Sequence, residues 1–477
     1  MEGWILSVGL IICFLCILGI FEVKHQRTHN SNIQQMKNLS INHSFRVQSS
    51  SSKRDTRILF YIYDAPEFHF LKNCSRRFNY SQNIYGKHED DILFLTRIYD
   101  HPLRTLNPTK AKVFIIPIIL GSIFRFLSYT FPNQKSGNML MQPGLCGNKT
   151  TMFRMMENAG KSILKSDFFI KNQGKDHLVV SSEFRAQSVH WYPKNFADVM
   201  KRINFGTFEE IFAPSLMNSQ TVFTYGSSAR NGATEKIHPR CSVITPYVNK
   251  IETNYKFDDW KNSSERKIDF LFMGQYNQKG SYRDRVRLNN IFHVGKDWLK
   301  TSPRIFADTV NYGLKMKHCE YENFKNANFS HKFKFTYPAP KLTNCYIEKA
   351  MKDDYLKLLS DSKFSLIISG DTASTSRLYD AIERGSIPII LSDLLPMVSF
   401  PFKSKVPWER LVYFMSSHAD ERNILKSLYD IWSKKDDELN EKQKYLQKYG
   451  KEVLWWSKQG SNVVKNLIEE TYFKCVL

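Results

Sequence analysis

The most informative pattern of hydrophobic and polar positions in the chain begins at Phe364 and runs through Leu391 to Pro401. Phe364 to Ile368 is a short, mostly apolar run and Ser369 to Ser376 is small and polar. Leu378, Ala381 and Ile382 then recur at helical spacing, Gly385 closes that stretch, and Ile387 to Leu391 is apolar again. Short apolar runs bounded by turn residues predict buried strands, and the helical period between them predicts a short helix. Together they form a β-α-β unit, which in an open α/β sheet binds ligands beyond the carboxyl ends of its strands. The loop leads into a helix N-terminus, whose amide groups and positive dipole end favour phosphate. Arg377, Asp380 and Arg384 fall opposite the apolar stripe. That face reads either as a solvated surface with an internal ion pair, or as a nucleotide diphosphate site with Arg377 on the pyrophosphate and Asp380 on the ribose hydroxyls.

The N-terminal pattern is different. Trp4 to Phe21 is uncharged throughout, enough for ~27 Å of helix, which just spans a thin bilayer. Only Glu2 is charged ahead of it and no small-residue cleavage site follows, so residues 1–21 read as an uncleaved signal anchor rather than a signal peptide. Residues 22–55 are rich in Asn, Ser, Gln and Lys and predict a stem without a core of its own. Lys24 and Arg27 would keep the large domain cytosolic. The Asn-x-Ser/Thr sequons at Asn38, Asn42, Asn73, Asn79, Asn148, Asn262 and Asn328 favour the lumen, and long domains translocate largely regardless of flanking charge.

Length and charge narrow the rest. A chain of 477 residues can bury two cores, here expected over residues 56–247 and 248–477. The net charge of +22 is spread along the chain, with a basic, aromatic-interleaved insertion from Lys300 to Lys341 that suits either solvent or an acidic glycan or headgroup. Beyond Cys13 and Cys16 in the apolar segment stand Cys74, Cys146, Cys241, Cys319, Cys345 and Cys475. Three bridges among these allow fifteen pairings, of which Cys319–Cys345 is the first to test. The helical pattern from Asp436 carries Asp437 and Glu438 in its first turn, as the helix dipole favours, and Trp455 and Trp456 beyond it could anchor a return by packing.

Five stretches in order resemble the exostosin-like glycosyltransferases. They are Arg57 to Pro66; Leu103-Arg104-Thr105 with Pro108, Ala111 and Phe114 to Pro117; Gly174-Lys175-Asp176-His177 with the strand after it; Arg266 to Gly274 with Arg283 beyond; and the unit from Ser362-Lys363-Phe364 through Gly370, Ser376-Arg377 and Gly385-Ser386-Ile387-Pro388 to Pro401-Phe402 and Trp408. Two departures are Lys175 where the family has Arg and Ser386 where it has Cys. The resemblance implies two facing Rossmann-like domains of the GT-B type, α/β throughout, with the active site in the cleft and a C-terminal helix returning to the first domain. It also implies a Golgi type II membrane protein with a lumenal catalytic domain that takes a UDP- or GDP-sugar donor and a glycan acceptor, with homo- or hetero-oligomers possible.

Within that frame Gly274, Arg283, Gly370, Ser376, Arg377 and Asp380 are the donor-site candidates, and Asp64, Asp176 and His177 the candidates for the base that an inverting transfer needs. Asp64 could instead cap its turn, and His177 could be a satisfied core histidine. No Asp-x-Asp follows an apolar strand, so no resident metal and no cofactor is expected beyond the donor itself. Neither Gly-x-Ser-x-Gly nor His-Glu-x-x-His occurs, which speaks against common hydrolases. A catalytically silent glycan-binding or chaperone-like subunit is the alternative. A nucleic-acid partner has only net charge behind it and is not expected.

Overall fold

The computed structural model describes residues 57–75, 89–121, 123, 149–181, 192–209, 240–249, 260–274, 305–309, 355–369, 373–457 and 460–477. The anchor and stem segments, the basic insertion beyond Thr309, Cys319, Cys345, Arg283, Gly370, and the sequons at Asn38, Asn42, Asn79, Asn148 and Asn328 lie outside them. Among the described residues no helix is long and apolar enough to cross a membrane.

The fold is α/β, built on two five-stranded sheets that are parallel throughout. The first contains β1 (Phe60–Ile62), β2 (Val113–Ile115), β3 (His177–Val180), β4 (Asn204–Thr207) and β5 (Cys241–Ile244), adjacent in that order. Its alternating side chains feed two cores. Val179 and Phe205 pack with Met152, Met156 and Phe196 from the Lys149–Leu164 and Lys194–Met200 helices. On the other face Phe60, Ile62, Ile115, Leu178 and Val180 join a core that runs continuously into the second half of the chain. Strands buried on both faces explain why these runs are so apolar.

The second sheet contains β6 (Ile268–Gly274), β7 (Ile305–Thr309), β8 (Ser362–Ile368), β9 (Ile387–Leu391) and β10 (Tyr413–Met415), in the order β10-β9-β8-β6-β7. From β6 the chain steps outward to β7, then crosses back to β8 and continues the other way to β10. The order therefore reverses between β6 and β8, whereas the described strands of the first sheet run in sequence without a reversal. Pro388 in β9 is tolerated because β10 begins its pairing only at Ile389, leaving Pro388 beside β8 alone.

The C-terminal elements tie the halves together. The Asp436–Val453 helix begins with exposed Asp436, Asp437 and Glu438 and packs against the second sheet. Trp455, fully buried, donates from its indole to the Pro246 carbonyl at 2.8 Å, and Arg97 lies over the Trp456 ring at 4.6 Å. The Val463–Thr471 helix then lies against β5 and the Asp90–Ile98 helix, and Cys475 is bonded to Cys241 at the start of β5.

Candidate functional site

The predicted unit forms as β8, a polar loop, the Arg377–Glu383 helix and β9. Gly385 makes the reversal with φ of 66°, a left-handed conformation that suits glycine. β6 and β8 flank the reversal of strand order, the place where open parallel sheets commonly bind ligands beyond their strands' carboxyl ends. Gly274 is the last residue of β6, and the loop after β8 carries Ser374, Thr375 and Ser376 into Arg377. Arg377 is half-buried, and its Nη1 donates to the Thr375 hydroxyl at 3.4 Å. Ser376 occupies the N-cap, where its hydroxyl makes no capping bond.

The helix itself departs from the two-faced expectation. Leu378 through Glu383 are all buried, so there is no solvated face. Asp380 is 1% exposed, and its Oδ2 accepts from the Tyr355 hydroxyl at 3.3 Å. That bond joins the helix to the 355–360 helix. Arg384 is likewise buried, and its Nε pairs with the Glu383 carboxylate at 2.8 Å.

The base candidates separate. Asp64 stands just past the carboxyl end of β1, exposed, and pairs with His69. His177 opens β3 and is fully buried, with Nδ1 against Asp176 at 2.8 Å, Nε2 against the Tyr63 hydroxyl at 2.6 Å, and its ring stacked on Phe114. Asp176 also accepts from the Asn172 amide and is 3% exposed. Burial lowers the His177 pKa from the usual histidine range, against a smaller opposing effect of Asp176. Asp176 precedes β3 and His177 opens it, so both stand buried at the end of the strand opposite its carboxyl edge.

What reaches the loop after β8 is a different set. Glu209, two residues past β4, accepts from the Ser374 amide through Oε1 at 2.7 Å, and the Ser374 hydroxyl donates to the Tyr247 hydroxyl at 3.2 Å. Tyr247, three residues past β5, stacks on Phe208 at 5.1 Å and meets Tyr379 edge-on at 6.4 Å. The carboxyl ends of β4 and β5 therefore abut the loop of the second sheet at Ser374. No sequence pattern singles out Glu209 or Tyr247. The one available signal was their position just past apolar strands.

A family model described as the Exostosin GT47 domain matches residues 54–429. The chain belongs to the exostosin GT47 family. Its matched span takes in both sheets and the loop that meets Glu209. Exostosin-1 of Drosophila melanogaster is 34% identical over 73 residues, which cover 15% of this chain and 9% of that protein, so the match spans less than a tenth of the relative's length. Among solved structures, a chain of the crystal structure of a GtfA/B complex aligns at 10% identity with a TM-score of 0.31, over 68% of this chain and 61% of that one. That likeness is too low to bear on the fold. Among the described residues no group of three His, Cys, Asp or Glu side chains is placed to hold a metal ion.

Proposed function

We propose that this family member is an inverting glycosyltransferase that moves a sugar from a UDP- or GDP-sugar to a glycan acceptor, in glycoprotein, proteoglycan or polysaccharide synthesis. The observation that supports the reading is the reversal of strand order between β6 and β8, with Glu209 past β4 bonded to the loop after β8. In this reading the diphosphate lies beyond Gly274 and the loop after β8, with the Arg377 guanidinium offsetting the charge that grows on the departing nucleotide. Ser376 adds a hydroxyl donor to the same oxygens. The acceptor hydroxyl approaches from the first sheet, where Asp64 is an exposed carboxylate at a strand end and the base candidate this reading favours. Attack at the anomeric carbon forms the new glycosidic bond as the bond to the diphosphate oxygen breaks, and the acceptor proton passes to the carboxylate.

The protein is proposed to act as a single-pass type II protein of the Golgi membrane with residues 56–477 in the lumen. The Cys241–Cys475 bond suits an oxidising compartment. Transfer is proposed to need no resident metal, since no Asp-x-Asp follows an apolar strand in the sequence. The test is calorimetric titration of the full-length protein in detergent with UDP, GDP and other nucleoside diphosphates, beside Arg377→Ala. Binding of one nucleotide that is lost in a folded Arg377→Ala variant is the expected result. A folded wild-type protein that binds none would favour the catalytically silent subunit.

A further inference from the structure

Two side chains from the first sheet hold one residue of the second. Glu209 takes the Ser374 amide and Tyr247 takes its hydroxyl, so Ser374 is fixed through backbone and side chain at once. Glu209 is 9% exposed, and the amide bond it accepts is of the charge-assisted kind, strengthened where water is excluded. The phenol beside it is held by rings on two sides, Phe208 and Tyr379. Ser374 is three residues from Arg377, and no regular element intervenes.

A loop at a ligand crevice loses affinity by whatever it costs to order that loop on binding, and a contact that orders it beforehand returns that cost. We infer that Glu209 is a positioning residue for the nucleotide site: from the opposite sheet, its carboxylate and the Tyr247 hydroxyl pre-set the loop that presents Ser376 and Arg377. The inference rests on the donor site proposed above. It also makes donor affinity a property of both sheets, because residues past β4 and β5 shape a loop that belongs to β8.

The discriminating variants are Glu209→Ala, Glu209→Gln and Tyr247→Phe in the full-length protein, titrated with UDP and GDP by calorimetry after thermal unfolding has established that each is folded. Gln keeps an oxygen that can accept from the Ser374 amide, Ala keeps none, and Phe keeps the ring stack while removing the hydroxyl. Positioning predicts about tenfold weaker nucleotide binding in Glu209→Ala, with Glu209→Gln restored to within about threefold, the range of one charge-assisted hydrogen bond. Tyr247→Phe should weaken binding by about threefold, and it carries the test if Glu209→Ala does not fold. A wild-type protein that binds neither nucleotide removes the donor-site proposal itself. If the wild type binds and Glu209→Ala or Tyr247→Phe binds equally well, only the positioning role falls. It also falls if Glu209→Gln keeps full nucleotide affinity yet loses hydrolysis of the matching nucleotide-sugar about a hundredfold, since that split marks a proton acceptor.

Discussion

Gly385 is where the β-α-β unit can be tested most directly. Its φ of 66° is left-handed, and a Cβ there would lie 2.6 Å from Trp260 Cδ2, 2.7 Å from Cε3 and 3.0 Å from Arg266 Nη2. Neither neighbour is free to retreat. The Trp260 indole donates to the Glu383 carbonyl at 2.9 Å, and the buried Arg266 guanidinium donates to the carbonyls of Lys261, Leu359, Ser362 and Arg384. Gly385→Ala should therefore cost roughly 1–2 kcal/mol for the left-handed backbone and about 1–3 kcal/mol for overpacking. The sum, about 2–5 kcal/mol, is a large share of the ~5–15 kcal/mol that holds an ordinary domain together. Urea unfolding of wild type and variant, followed by far-ultraviolet circular dichroism, should show a lower midpoint at unchanged slope. Adding Trp260→Leu should recover the overpacking part and leave the backbone part, so the two losses should not add. A loss below about 0.5 kcal/mol in the single variant would refute this reading of the turn.

Three further outcomes follow from other sites. Ser386 is fully buried with no hydrogen-bond partner for its hydroxyl among the described residues, so Ser386→Ala should stabilise by about 1 kcal/mol in the same urea assay, and a net loss would mean the hydroxyl is paired. The Cys241–Cys475 bond closes a separation of 234 residues, so replacing both cysteines by serine should cost about 2–4 kcal/mol, while peptide mapping of the unreduced wild type should recover the linked pair. His177 is held below its usual pKa by burial, and His101 by burial and Lys465. The unfolded chain then takes up protons below about pH 6.5 that the folded chain refuses, so stability should fall as pH drops through that value. The slope should be shallower in His177→Gln, and an unchanged slope would show that His177 does not contribute.

How much of this was legible in the sequence depends on the range of the interaction concerned. β8, the Arg377–Glu383 helix, the reversal at Gly385 and β9 were readable because each rests on local pattern: continuous apolar runs, helical spacing and a turn glycine. The enclosure of Asp380 was not, since periodicity marks a polar face but cannot say that Tyr355 of another helix will cover it. The surroundings of His177 were hidden for a related reason. A histidine at a strand start beside aspartate has the composition of a catalytic pair, and only the stack on Phe114 and the bond to Tyr63 place it in the core. Cys241 and Cys475 could not be paired by counting, because nothing local distinguishes one of fifteen connectivities from another.

Glu209 is the instructive omission. It follows Phe208 at the end of an apolar strand, in no motif, and its partner Ser374 stands 165 residues further along the chain. Such a contact has meaning only after both sheets are built, because parallel strands send their carboxyl ends the same way and the loops beyond them meet whatever faces that edge. In the proposed reading the order reversal between β6 and β8 marks that edge for the ligand, and the ends of β4 and β5 supply what faces it. A base or positioning group for such a site is therefore to be sought just past the first-sheet strands. Asp64 after β1 and Glu209 after β4 meet that condition, whereas Asp176 and His177, which stand before and at the start of β3, do not.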